Sequence, residues 1–400
     1  MSSALASSIE EVPPTKEDRP PDGSLQASQP VGVAPGPGET PPLISLRGNW
    51  VQLIQRERTF LVLLGLGFLA VGATYDAPHL AMWVGFGIAG YAAVANDSIQ
   101  TIGTFIASNK RHPWWLLWLY IGGIFLATTF YGWWSHAGDV SYGRLLSKGF
   151  ERAPQEFAFL QVAAPLFLVI LTRLRMPVST TFLLLSCFSA SASGISGVLL
   201  KSLSGYAIAF GTAITVWLAL GPWLQRRFTG PAHPGWTVFQ WLTSGFLWAL
   251  WLIQDLANIA VFLPRSLGGG QVFAFAGVIF LGLGLLFRLG GDKIQQIVDE
   301  KSDVVDVRAA TVIDLVYCLI LLLFTVLSSV PMSTTWVFIG LLGGRELAMS
   351  LRRAGSAPRT RGQALALIGR DVGYAAAGLL VSLVLAAAIN ERVREAFLGA

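Results

Sequence analysis

Between residues 58 and 389 the chain is built of apolar runs broken by short polar punctuation, most of them close to the ~20 residues an α-helix needs to cross a bilayer. That spacing predicts an all-α polytopic membrane protein. The runs fall near 58–75, 79–107, 113–134, 156–173, 178–199, 205–221, 237–263, 271–289, 309–328, 332–345 and 367–389, giving about 11 transmembrane spans. Composition agrees, since 53% of the 400 residues are hydrophobic and only 13% charged, far from the balance of a soluble domain. Ten-residue segments of alternating polarity, the mark of a membrane β-barrel, are not seen in the sequence.

Charge serves topology here. The net charge of +5 comes from Arg and Lys in short loops rather than on one basic face, so no nucleic-acid partner is expected and the lipid bilayer is. Lys110, Arg111, Arg173, Arg175, Arg226, Arg227, Arg288, Lys293 and the run Arg345, Arg352, Arg353, Arg359, Arg361 fall on one side of the span pattern. By the positive-inside rule that side is cytoplasmic, although the 135–153 loop (Arg144, Lys148, Arg152) weakens the contrast. The expectation is a multi-pass protein of the cell (inner) membrane, amino terminus inside and carboxyl terminus outside. Residues 1–45 are rich in Pro, Gly, Ser and acids and predict a disordered cytoplasmic tail, with no signal-peptide pattern. Cys187 and Cys318 lie inside apolar runs, where a thiol behaves as a small hydrophobe. They predict neither a disulfide nor a metal site.

Two short motifs recur. Asn96-Asp97-Ser98-Ile99-Gln100 returns as Gln254-Asp255-Leu256-Ala257-Asn258, its Asp 158 residues later, and 177-PVSTTF-182 returns as 331-PMSTTW-336, 154 residues later. Five spans separate equivalent positions, and an odd number reverses chain direction, so the halves are expected to form two inverted repeats with broken helices meeting at the midplane. The predicted division is tail 1–45, an extra first span in 46–78, repeat one in 79–235 and repeat two in 236–390.

On a helix Asp97, Gln100, Thr101 and Thr104 share one polar face, and Asp255 and Asn258 repeat the first spacing. A carboxylate at membrane depth must meet a cavity, a cation or a donor. Oxygen from Asp, Asn, Gln and Thr suits a hard cation such as sodium, and a proton would also remove the charge. Pro177 and Pro331 disfavour helix in the residue before them, and the Ser-Thr-Thr that follows is suited to cap a new helix. Free N–H groups at such a start, with the helix dipole and hydroxyls, form an oxyanion site.

The remaining polar residues carry weaker signals. Asp314 has Leu160 at the equivalent offset in repeat one and, with Thr101 and Thr104, is a further candidate for the site, though pairing with an Arg or an amide is an equal expectation. Arg370 and Asp371 read as an interfacial pair, and 291–308 as a solvated cytoplasmic helix. Gly122-Gly123, Gly282, Gly284 and Gly340 to Gly344 read as close helix packing rather than phosphate loops. No pattern for catalysis is seen, so the chain is not expected to be an enzyme and no catalytic residue is assigned.

With these residues in place the chain resembles the inorganic phosphate transporter (PiT) family of cation-coupled symporters. That family carries a duplicated Gly-Ala-Asn-Asp-Val-Ala-Asn-Ala-type signature, each copy followed by a Pro-x-Ser-Thr-Thr-His-type segment. Val94 to Gln100 and Gln254 to Asn258 match the first element, and Pro177 to Thr181 and Pro331 to Thr335 the second, with Phe182 and Trp336 where the family has His. Gln100 and Gln254 stand where it has Asn. The resemblance implies symport of inorganic phosphate with sodium or protons, no other cofactor or metal, and allows a homodimer. It implies cation binding by Asn96, Asp97, Gln100, Gln254, Asp255 and Asn258, and anion binding by Ser179, Thr180, Thr181, Ser333, Thr334 and Thr335. Transport of another oxyanion such as sulfate, or a non-transporting sensor or assembly protein of the same shape, are the alternatives, with an intramembrane enzyme a distant third.

Overall fold

The computed structural model describes residues 57–146, 150, 152–174, 176, 178–189, 192–289, 307–327, 332–352 and 360–398. The predicted tail, Pro177 and Pro331, Lys148, Arg175, Lys293, Arg353, Arg359 and residues 291–306 lie outside the described residues. Every regular element among those described is helical. In chain order they are α1 (Arg58–Thr74), α2 (Pro78–Ala93), the π-helical turn π1 (Val94–Ser98), α3 (Ile99–Ser108), α4 (Trp114–Ser135) and α5 (Phe159–Arg173). There follow π2 (Thr181–Leu185), α6 (Ser186–Phe188), α7 (Ala192–Arg227), α8 (Gly235–Ala260), α9 (Gly269–Arg288), α10 (Val307–Leu327), α11 (Thr334–Leu351), α12 (Arg361–Ile389) and α13 (Glu391–Leu398).

Seven of these stretches are long and apolar enough to cross a membrane, among the described residues, and α1 and α5 are shorter apolar helices. The protein is therefore an all-helical membrane protein with several spans. The helix starts follow local chemistry. Pro78 opens α2 at a position where its missing N–H costs nothing. Gln161, Gln271 and Gln363 each accept the N–H of the residue before their helix, at 2.8 to 2.9 Å.

One boundary differs from the sequence expectation. The punctuation Lys201 to Gly205 predicts a break between spans 178–199 and 205–221, but α7 runs unbroken through it and the break falls after Phe188, where Ser189 is extended. Ser202 and Ser204 donate to the carbonyls of Val198 and Leu200 at 2.7 and 2.8 Å, so their hydroxyls are satisfied within the helix instead of ending it. The 332–345 run likewise continues as helix to Leu351.

Packing pairs the elements in a regular way. α5 packs on α2 and α10 on α8, α11 lies along α7 while π2 and α6 lie against α12, and α4 meets α9. Gly340 and Gly344 let α11 approach α7 closely, since a Cβ on Gly340 would stand 2.6 Å from the Tyr206 carbonyl oxygen and one on Gly344 would overlap that of Phe210.

The loop after α4 is an ordered cap. Asp139 accepts the N–H groups of Ser141 and Gly143 at 2.7 and 2.9 Å, and Leu267 N–H donates to Gly138 O at 2.9 Å. Arg265 ties this cap to the end of α8: its guanidinium donates to the carbonyls of Phe150, Val261, Leu263 and Arg152 at 2.8 to 3.2 Å. Burial lowers it to about 10, so it remains charged at neutral pH. Arg265→Ala is expected to lower the unfolding free energy by about 3 kcal/mol, the scale of losing charge-assisted bonds and stranding carbonyls, as read from denaturant unfolding in detergent. Arg265→Lys should recover less than half of that, because an ammonium cannot reproduce the fork.

Candidate functional site

The two repeated motifs meet in the interior. Asn96 and Asp97 sit in π1, where one extra residue per turn widens the helix; such turns often mark functional sites. Both are buried, as are Gln100, Thr101 and Thr104 on α3 and Gln254, Asp255 and Asn258 on α8. Asn96 Nδ2 donates to Asp97 Oδ1 at 2.6 Å and to Val178 O at 3.0 Å, while its own carbonyl accepts from Gln100 Nε2 at 3.1 Å. On the other side Asn258 Nδ2 donates to Asp255 Oδ1 at 2.6 Å and to Thr181 Oγ1 at 3.1 Å. The carboxylates of Asp97 and Asp255 lie within electrostatic reach of each other.

The Ser-Thr-Thr segments are arranged reciprocally. Ser179 Oγ accepts from Phe182 N at 3.1 Å and Ser333 Oγ from Trp336 N at 3.2 Å, so each serine caps its own helix. Thr181 Oγ1 donates to Met332 O at 3.1 Å, and Thr335 Oγ1 donates to Val178 O at 3.4 Å. Val178 and Met332 hold the same place in the two motifs, so each threonine reaches the backbone of the opposite copy. Thr180 stands beside Asp97 and Thr334 beside Asp255. The positive ends of both helix starts therefore face the two carboxylates. The rings of Phe182 and Trp336 meet at 5.7 Å between centroids.

Four buried oxygens of this group have no hydrogen-bond partner among the described residues: Gln100 Oε1, Gln254 Oε1, Asp255 Oδ2 and Asn258 Oδ1. An unsatisfied buried acceptor costs on the order of 1–3 kcal/mol, so a cluster of them calls for a cation or water. Two carboxylates with amide and hydroxyl oxygens fit a hard cation such as sodium. No three His, Cys, Asp or Glu side chains gather into a metal-holding group among the described residues.

Three neighbours escaped the motif reading. Arg144, in the cap loop, is buried with its charge in reach of Asp255, and burial lowers its guanidinium to about 10 while that carboxylate opposes the shift. In the sequence it is one more loop arginine, and only the fold turns it inward. Tyr317 on α10 donates to Thr334 O at 3.1 Å and stands beside Thr101. Ser202 on α7 accepts the N–H of Ser333 at 2.8 Å. Of the other candidates, Asp314 is not joined to the central group directly: it is buried and accepts from Thr104 and Ser244. Gln254 Nε2 donates to Thr325 Oγ1 at 2.6 Å. Asp371 is buried, its carboxylate 4.0 Å from Arg370. No family model, curated protein or solved structure matches the chain.

Proposed function

We propose that the chain is a secondary transporter of a small inorganic oxyanion, phosphate first, driven by a coupled cation, sodium or proton, and built from two inverted five-span repeats after an extra first span. The observation that carries this is the reciprocal pair of Ser-Thr-Thr helix starts around two buried carboxylates, beside which Asp255 Oδ2 and the amide oxygens of Gln100, Gln254 and Asn258 have no hydrogen-bond partner among the described residues. The exchange of α11 onto α7 and of π2 and α6 onto α12 supports the inverted repeat, since each fourth segment then packs on the fifth of the other half. Arg288 over Trp114 and Arg308 over Phe228 place basic helix ends with Lys110 and Arg111, which supports an inside amino terminus in the cell (inner) membrane.

In this reading Asp97 and Asp255, with Asn96, Gln100, Gln254 and Asn258, hold the coupling cation. Thr180, Thr181, Thr334 and Thr335, at the positive ends of the two helix starts, receive the anion once the cation offsets the carboxylates. Arg144 brings positive charge to the same place from the cap side. The resemblance to the PiT family is the reason for naming phosphate ahead of sulfate. A second reading, a sensor that binds without flux, is favoured by Phe182 and Trp336 closing together between the halves.

The test is uptake of radiolabelled phosphate into proteoliposomes under an imposed sodium gradient and, separately, a proton gradient, with unlabelled sulfate as competitor. Uptake under one gradient supports the proposal, and competition by sulfate reassigns the anion. Binding with no uptake moves the sensor to the front.

A further inference from the structure

Asp314 lies on a polar track that leads away from the central carboxylates. Thr101 Oγ1 donates to Asp97 O at 3.2 Å and stands beside Tyr317. One turn on, Thr104 Oγ1 donates to Asp314 Oδ1 at 2.6 Å, and Ser244 Oγ on α8 donates to Asp314 Oδ2 at 2.5 Å. Another turn on, Ser108 Oγ donates to Thr104 O at 2.8 Å and accepts from Gln240 Nε2 at 2.5 Å. Gln240 Oε1 in turn accepts from Asn109 Nδ2 at 2.8 Å. Asn109 is buried and the next residues, Lys110 and Arg111, are exposed. The track thus runs ~18 Å along the helix, from Asp97 to the basic face.

The other half of the chain has no counterpart of this track at the corresponding positions. Counted by the motif offsets, Thr101, Thr104 and Asp314 correspond to Ile259, Phe262 and Leu160 in the other half. There Ile259 and Phe262 are buried, Phe262 packs edge-on against the Phe188 ring at 4.9 Å, and Gly85 leaves room for it. One side of the centre is sealed with rings; the other is wired with oxygens.

We propose that Asp314 is a proton-binding site that exchanges its proton with water entering along this polar track, making the proton a coupling ion; this rests on the transporter reading above. No charged group of the packed elements α3, α7, α8 or α11 faces Asp314 among the described residues, and its titratable neighbour is Cys318 on its own helix. Its oxygens and those of Thr104 and Ser244 make four, fewer than a hard metal cation takes, and both hydroxyls already point their protons at the carboxylate. A proton asks only that one hydroxyl turn from donor to acceptor as the carboxylate becomes a carboxylic acid, which Ser and Thr can do. Release to a water molecule reverses that turn: the O–H bond of the acid breaks as one forms on the water, which leaves as hydronium.

Two readouts on the full chain in proteoliposomes test this. Infrared difference spectra across the neutral pH range, taken in an Asp97→Asn, Asp255→Asn background, should show a carboxylic C=O band that vanishes on adding Asp314→Asn and shifts in frequency with Ser244→Ala or Thr104→Val. Proton-driven uptake by otherwise wild-type Asp314→Asn should fall by about 100-fold, in the range seen when a proton-transferring side chain is removed. Absence of an Asp314 band, with Asp314→Asn changing stability alone, would make the residue a helix staple and overturn the proposal. So would uptake driven by sodium alone and untouched by Asp314→Asn, which leaves the transporter reading standing. Absence of any uptake in wild type overturns that reading instead, and the infrared band still reports on proton binding.

Discussion

Replacing Asp97 and Asp255 together by asparagine is expected to abolish gradient-driven anion uptake while leaving the helices folded. Asparagine keeps the shape and one acceptor oxygen, so the contacts from Asn96 and Asn258 survive in weaker form. What is lost is two negative charges that, in the transporter reading, face the coupling cation. A hydrogen bond or contact to a charged group is worth about 1.5–3 kcal/mol, so two such losses amount to about 3–6 kcal/mol. At 1.4 kcal/mol per factor of ten, uptake should fall by roughly 10²- to 10⁴-fold. Because the two carboxylates repel each other when no cation lies between them, the variant should melt no lower than wild type in cation-free buffer. Initial uptake rates and thermal unfolding of the same preparation check both halves. Uptake above a tenth of wild type would remove the carboxylates from the coupling role.

Gly344→Leu is expected to have the largest effect on stability of any single change in the bundle. The new Cβ would overlap the Phe210 carbonyl oxygen and stand 2.9 Å from Ala213 Cβ, contacts that backbone cannot yield. Overpacking of this kind costs about 1–3 kcal/mol where side chains can move, and here α11 itself must lift off α7, so a loss of at least about 3 kcal/mol is expected. Gly343→Ala is the control: its nearest neighbours are the Ile368 side chain at 3.3 Å and the Phe210 ring at 3.5 Å, which can adjust. Denaturant unfolding in detergent should show a large drop for the first and little for the second. Lifting α11 also draws Ser333 N–H from Ser202 and Thr335 from Val178, so residual folded Gly344→Leu protein should transport poorly.

The helical membrane class is legible in the sequence because apolar length is a local property. The polar face of Asp97, Gln100, Thr101 and Thr104 and the close-packing Gly122, Gly284, Gly340 and Gly344 are legible for the same reason, but Gly123 and Gly282, read the same way, are not tightly packed: an added Cβ meets nothing within 4 Å at the first and only Val94 at 3.6 Å at the second. The places where the sequence misleads depend on partners far along the chain. Lys201 to Gly205 looks like a loop, yet serine hydroxyls satisfied by the preceding turn leave no reason for the helix to stop. The π-turn at Asn96 leaves no compositional trace. Asp314 is an isolated acid in one dimension, and its two hydroxyl partners stand 210 and 70 residues away. Arg144 reads as a loop charge until the cap folds it inward. Motif repetition picks out the residues of the proposed site, while the capping of each helix by its own serine and the crossing over of the threonines are visible only in the fold.

The unbroken α7 has a mechanical meaning. At 36 residues it is ~54 Å long against a hydrocarbon layer of ~30 Å, so it must lean or project beyond the lipid. α11 is keyed to it by glycines, and the contact between Ser202 and Ser333 sits about a third of the way along it from Ala192. The helix is thus a lever with its fulcrum beside the carboxylates. A 5° swing about Ser202 would carry Arg227, ~38 Å along the rod, by roughly 3 Å, enough to turn a small rearrangement in the buried centre into a displacement at the basic face.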